Sequence, residues 1–108
     1  MSKAAYIQRG EALDYVNETS STIGANTVIS LVERIGIAGT DILPGETGDV
    51  HVAGVFEIQK TDSEEIAMGT TVYFDGEGIT TTASSNVKAG YAAEKSAASA
   101  KVIAVKIG

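Results

Sequence analysis

Few side chains in this sequence are equipped for chemistry, and their spacing decides whether any of them work together. His51 is the only histidine, and there is no cysteine. A histidine general base needs a nucleophile or an orienting carboxylate within hydrogen-bond reach. No serine in a recognisable frame accompanies His51, which falls on the polar side of a predicted strand and reads as a solvated side chain. Carboxylates cluster at Asp62-Ser63-Glu64-Glu65 and at Asp75-Gly76-Glu77. Neither run has the ligand number or spacing of a calcium loop, so both read as solvated turns. The stretch Gly54-Val55-Phe56-Glu57-Ile58-Gln59-Lys60-Thr61 has the outline of a phosphate-binding loop, with Gln59 where a second glycine belongs. That chemistry needs backbone N–H groups of a flexible loop aimed at phosphate between a strand and a long helix. Here the segment itself alternates as a strand, and no long helix follows. No catalytic residue, metal ligand or cofactor is expected, and the chain reads as a non-enzyme.

The elements that must carry these residues belong to one domain spanning 1–108. Apolar residues make up 44% of the chain and charged residues 20%, a globular composition. Much of the apolar share is small: there are 15 alanines, besides 12 glycines, and only six aromatic residues, so the core must be thin. Without cysteine there is no disulfide scaffold and no thiolate site. No apolar run approaches the ~20 residues of a membrane span, and the N-terminus lacks the apolar stretch of a secretory signal. A protein made in the cytoplasm, with no membrane partner, is expected. The net charge of −6 argues against nucleic-acid binding. Charge is also uneven: residues 1–77 hold 13 acids and four bases, whereas 78–108 hold Glu94 against four lysines. Interleaved strands would erase that asymmetry; the alternative is two faces of opposite sign, one turned to a partner.

Period-2 alternation is the dominant pattern. Across Asp49–Gln59 one face carries Val50, Val52, Phe56 and Ile58, which predicts one half-buried strand with Gly54 at a bulge or a close approach. Lys101–Gly108 repeats the pattern through Ile103, Val105 and Ile107, Thr27–Val32 is β-branched, and a short strand is possible around Leu13–Val16. Thr70–Phe74, a Gly-rich turn at Asp75–Gly78 and Ile79–Thr82 read as a hairpin. Pro44-Gly45 suits the centre of a type II turn. Two segments have helical leanings. Asp62–Gly69 carries a cap signature for one short turn. Ala89–Ala100 is Ala-rich, but Gly90, Ser96 and Ser99 favour a strand near Gly90–Ala93 and a loop over Ser96–Ser99. The expected fold is all-β: a small barrel- or sandwich-like domain with at most one or two short helical turns.

The ordered motifs resemble a known family. Gln8-Arg9-Gly10-Glu11-Ala12-Leu13-Asp14-Tyr15-Val16-Asn17 is similar to the opening of a tailed-phage family of capsid cement or decoration proteins, long treated as a domain of unknown function. Arg34-Ile35-Gly36-Ile37-Ala38, Gly45-Glu46-Thr47-Gly48 and Val52-Ala53-Gly54-Val55-Phe56-Glu57-Ile58-Gln59-Lys60 resemble its middle. Ile66-Ala67-Met68-Gly69, Val72-Tyr73-Phe74, Ala89-Gly90-Tyr91-Ala92 and Val102–Ile107 follow in the family's order. Some members have been labelled recombinases, a label that the broken phosphate loop speaks against here. The resemblance implies a β-barrel-like domain on the outside of the phage head, often a homotrimer, clamping subunits of the major capsid protein. It implies no catalytic residues. Residues 1–10 would form an N-terminal arm, with Lys3, Tyr6, Ile7 and Arg9 as capsid contacts by strand addition; the alternative is a strand paired within its own domain. A different class of function, a virion-surface module binding host glycans, would need an exposed aromatic platform from Tyr73, Phe74 and Tyr91.

Overall fold

A computed structural model describes residues 2–108. The described chain holds nine strands: β1 Ala12–Val16, β2 Val28–Leu31, β3 Arg34–Ala38, β4 Thr47–His51, β5 Gly54–Gln59, β6 Thr71–Phe74, β7 Ile79–Thr80, β8 Val87–Ala92 and β9 Val102–Ile107. They form two antiparallel sheets, ordered β1-β4-β3-β2 and β5-β9-β8-β6-β7. The sheets stack as an open sandwich, and no closed barrel forms. The expected all-β sandwich is what the chain adopts.

The two sheets are two copies of one plan. Setting β7 aside, the second sheet follows the first strand for strand: β5 stands for β1, β6 for β2, β8 for β3 and β9 for β4. The loop bonds repeat as well. Asn17 N–H donates to Glu46 O, and Lys60 N–H to Lys101 O. Asn26 and Ala38 are joined as Gly69 and Ala92 are, at 2.8 Å in both cases. Ile23 and Ile42 exchange two backbone bonds across an isolated bridge, and Ile66 and Ser96 do the same. A tight turn follows each bridge residue, closed by Thr27, Glu46, Thr70 and Ala100 N–H groups. In the Leu43–Glu46 turn Gly45 takes φ +80°, as the Pro44-Gly45 pair requires.

The halves pack unequally. One face of the second sheet carries Ile58, Val72, Phe74, Ile79, Ala92, Ile103, Val105 and Ile107, and against it lie Ile35, Ile37 and Val28 from the back of the first sheet. The other face of the first sheet buries Ile29, Ala38, Ile42 and Val50 beneath Tyr15, Ile23, Leu31 and Val52. Strand β3 is therefore enclosed on both sides, as its Ile-Gly-Ile-Ala sequence allows. Gly36 leaves room for the Val50 side chain and the His51 carbonyl in the neighbouring strand.

Three expectations need correction. The Asp49–Gln59 alternation is not one strand: it belongs to β4 and β5 in different sheets, separated at Val52-Ala53, and Gly54 opens β5 at φ +120°. Inward-facing apolar residues continue through the corner, so the pattern hides it. Asp62–Gly69 makes no helical turn. Asp62 Oδ1 accepts from Glu64 N–H at 2.8 Å in a local Asx turn, which uses the same residues as a helix cap. The segment then bridges through Ile66 and turns at Gly69, φ +89°. His51, expected in solvent, is half-buried on the face that meets the second sheet, its ring 6.0 Å from that of Phe56. The strand at Gly90–Ala92 is present as part of β8, and Ser96–Ser99 lies in a loop.

Candidate functional site

The residues that looked chemical in the sequence are occupied in holding loops. Lys60, the lysine of the near-miss phosphate loop, follows edge strand β5 and is buried. Its Nζ donates to Glu64 O at 2.7 Å, Ala97 O at 2.8 Å and Ser96 Oγ at 3.1 Å. All three ammonium protons have acceptors, so none points to a ligand. Asn17 occupies the matching place after β1: its Nδ2 donates to Ser21 O and Ile42 O, both at 2.8 Å. Each half thus pins its longest loop with one buried polar side chain, an amide in the first and an ammonium in the second.

The carboxylate runs behave similarly. Asp62 accepts from Thr81 Oγ1 at 2.7 Å and Thr81 N–H at 3.1 Å as well as from Glu64 N–H. These bonds, the Thr81 hydroxyl foremost, hold its carboxyl below the usual aspartate range. Asp75 accepts from Thr61 Oγ1 at 2.7 Å and from the Glu77 and Gly78 N–H groups, and its pKa is lowered by the same kind of contact. Among the described residues no three His, Cys, Asp or Glu side chains converge as metal ligands.

Two surfaces remain. The first is the N-terminal arm. Residues 2–10 lie in no strand, and Lys3, Tyr6, Ile7 and Arg9 are exposed, Tyr6 by 83% and Ile7 by 87%. Arg9 reaches only the neighbouring Glu11, at 3.7 Å. The four residues thus share a segment outside every strand of their own domain. The second surface lies on the outer side of β8 and β9, where Arg34, Lys88, Tyr91 and Lys106 line a cleft of about 350 Å³. The sequence reading did not single out this face, although the lysine-rich character of 78–108 was its signal. The fold brings Lys88 and Lys106 onto one side and adds Arg34 from the first sheet. Beside them the β2–β3 turn ends in Val32, 93% exposed and held at φ +55° by a Glu33 N–H bond to Leu31 O. The aromatic platform that glycan binding needs is not formed: Phe74 is buried, Tyr73 is half-buried, and Tyr91 alone of the three is exposed.

Against this geometry, the family model for phage cement proteins matches residues 7–107. The chain belongs to the phage cement protein family. The match spans both halves of the sandwich and includes Ile7 and Arg9 of the arm. A structural role in the phage capsid follows for this cement protein. No curated protein and no solved structure matches the chain.

Proposed function

We propose that this cement protein binds the outside of the assembled head and stabilises the lattice of the major capsid protein, acting as a homotrimer made in the host cytoplasm. The observation that carries the reading is the arm. Nine residues with an exposed Tyr6-Ile7 pair and two cations, Lys3 and Arg9, extend from a folded domain that leaves them unpaired in any strand. Such a segment gains backbone hydrogen bonds and apolar cover by adding to the edge of a capsid sheet. Arm and domain together span 43 × 41 × 23 Å, a plate that can lie over subunit junctions. A ligand that binds only the assembled lattice adds its binding free energy to lattice stability, and repetition over many sites makes weak single contacts sufficient.

Co-sedimentation with heads of the same phage lacking the protein, before and after expansion, tests this directly. Saturable binding at a copy number matching the lattice symmetry axes is the expected result. A protein lacking residues 1–9 should melt like the full chain and fail to bind; binding that survives the deletion removes the arm's role. No binding of the full chain to either form of head removes the reading.

A further inference from the structure

Register places one band of side chains across the outer side of the second sheet. Val55 of β5 stands opposite Lys106 of β9, Lys106 opposite Tyr91 of β8, and Tyr91 opposite Thr71 of β6. Directly opposed residues of an antiparallel sheet share a face. Lys88 joins them, because it stands opposite Tyr73, two residues beyond Thr71 and on the same side of β6. In the first sheet the matching row is covered: Val28 opposes Ile37, and both pack against the core of the second half. Tyr91 and Val55 are instead 43% and 58% exposed.

Charge sets this face apart from the rest of the molecule. The cleft holds three cations, Arg34, Lys88 and Lys106, against one carboxylate, Glu33. Among the described residues, none of the three makes an ion pair with a carboxylate side chain. Lys106 Nζ reaches only Gly108 O, at 3.3 Å. Of the eight lysines and arginines, these three and the arm's Lys3 and Arg9 make five, whereas Lys60 is buried and Lys95 pairs with Glu65. The cleft also adjoins the root of the arm. Gly108, part of its wall, lies against the Val52 carbonyl, and Val52 N–H donates to Glu11 O at 2.9 Å, where the arm leaves the domain.

We propose that this cleft is a second capsid contact, and that it takes an acidic loop of the major capsid protein. Carboxylates of that loop face Arg34, Lys88 and Lys106, and a small apolar side chain lies against Tyr91 and Val55. A molecule of net charge −6 is repelled as a whole by an acidic surface, so it meets one by turning this face and the arm towards it. Tyrosine and arginine are also the residue types that most often anchor a protein interface. The inference rests on the capsid-binding reading above and adds to it the face that is used and the charge of the surface it meets.

Co-sedimentation of the full chain with heads lacking it, over a series of salt concentrations, is the test. Wild-type affinity should fall as salt rises. Lys88→Glu/Lys106→Glu should weaken binding about tenfold or more, with the arm intact and circular dichroism unchanged. Lys88→Gln/Lys106→Gln should weaken it less and flatten the salt dependence, and it decides the question should the reversed variant fail to fold. Binding of both variants with wild-type strength and salt dependence overturns the cleft contact, while the capsid reading stands on the wild type. If, in that case, the wild type alone also binds an acidic polysaccharide such as hyaluronate, the cleft belongs to glycans instead. A wild type that does not bind heads overturns both readings.

Discussion

The buried Lys60 ammonium ties the loop after β5 to the loop before β9. In a glycine-punctuated stretch before a threonine the residue resembles a phosphate ligand, yet its ammonium is enclosed by two carbonyls and a hydroxyl. Lys60→Met keeps the stem and removes the donor, leaving Glu64 O, Ala97 O and Ser96 Oγ without it. Charge-assisted bonds of this kind are worth about 1.5–3 kcal/mol, so a loss of that order is expected in urea denaturation, with the fold retained. A substitution without effect would mean that water replaces the ammonium at no cost. Asp62 and Asp75 make a complementary prediction about acid. Both carboxyls titrate below their ordinary value because Thr81 and Thr61 donate to them. A depressed folded pKa contributes stability that is present above the unfolded value of about 3.9 and lost as pH falls through the folded one. The protein should therefore lose stability on acidification below about pH 4–5. Asp62→Asn/Asp75→Asn should flatten that part of the profile; an unchanged acid limb would assign it to other carboxylates.

At the level of strands and turns, the repeat was legible in places. Arg34-Ile35-Gly36-Ile37-Ala38 and Lys88-Ala89-Gly90-Tyr91-Ala92 share a cation, a central glycine and a final alanine. The two glycines also share a cause. A side chain at Gly36 would meet the Val50 side chain and the His51 carbonyl, and one at Gly90 would run into the backbone of Lys106. Gly90 also sits at φ +149°, where the β6–β8 register shifts near Val72. Gly90→Ala should cost about 2–4 kcal/mol, read as a lower denaturation midpoint; a smaller loss would show that β9 can move aside. Alternation located β9 and the run that holds β4 and β5, because inward Val and Ile face a core there, whereas β3, buried on both faces, does not alternate and did not read as a strand. It could not show the corner at Val52-Ala53, since burial continues through it while the strand changes sheets. Nor could it show that His51 meets Phe56, because the polar side of β4 is the side on which the second sheet lies. The cationic face was legible only in part: the lysine surplus of 78–108 contains Lys88 and Lys106, but Arg34 joins them from a strand far away in the chain.

Across the whole molecule the question is whether two similar halves unfold as two. The first half has a small core of its own in Ile29, Ala38, Ile42 and Val50, which alone would favour separate melting. The larger core decides otherwise. Ile35 and Ile37 belong to the first half, yet they are buried among Val72, Ile79 and Val105 of the second, so neither half keeps that core without the other. Ile37 is nearly inaccessible, and truncating a buried isoleucine to alanine costs about 2–5 kcal/mol. A single calorimetric transition is expected for the wild type, with equal calorimetric and van't Hoff enthalpies. Ile37→Ala should lower its midpoint without splitting it, since the lost methyl groups served both halves at once. Two resolved transitions, with only one moved by the substitution, would mean that the sheets fold independently. The plate could then bend between them, and a contact spanning both halves could not hold capsid subunits at a fixed spacing.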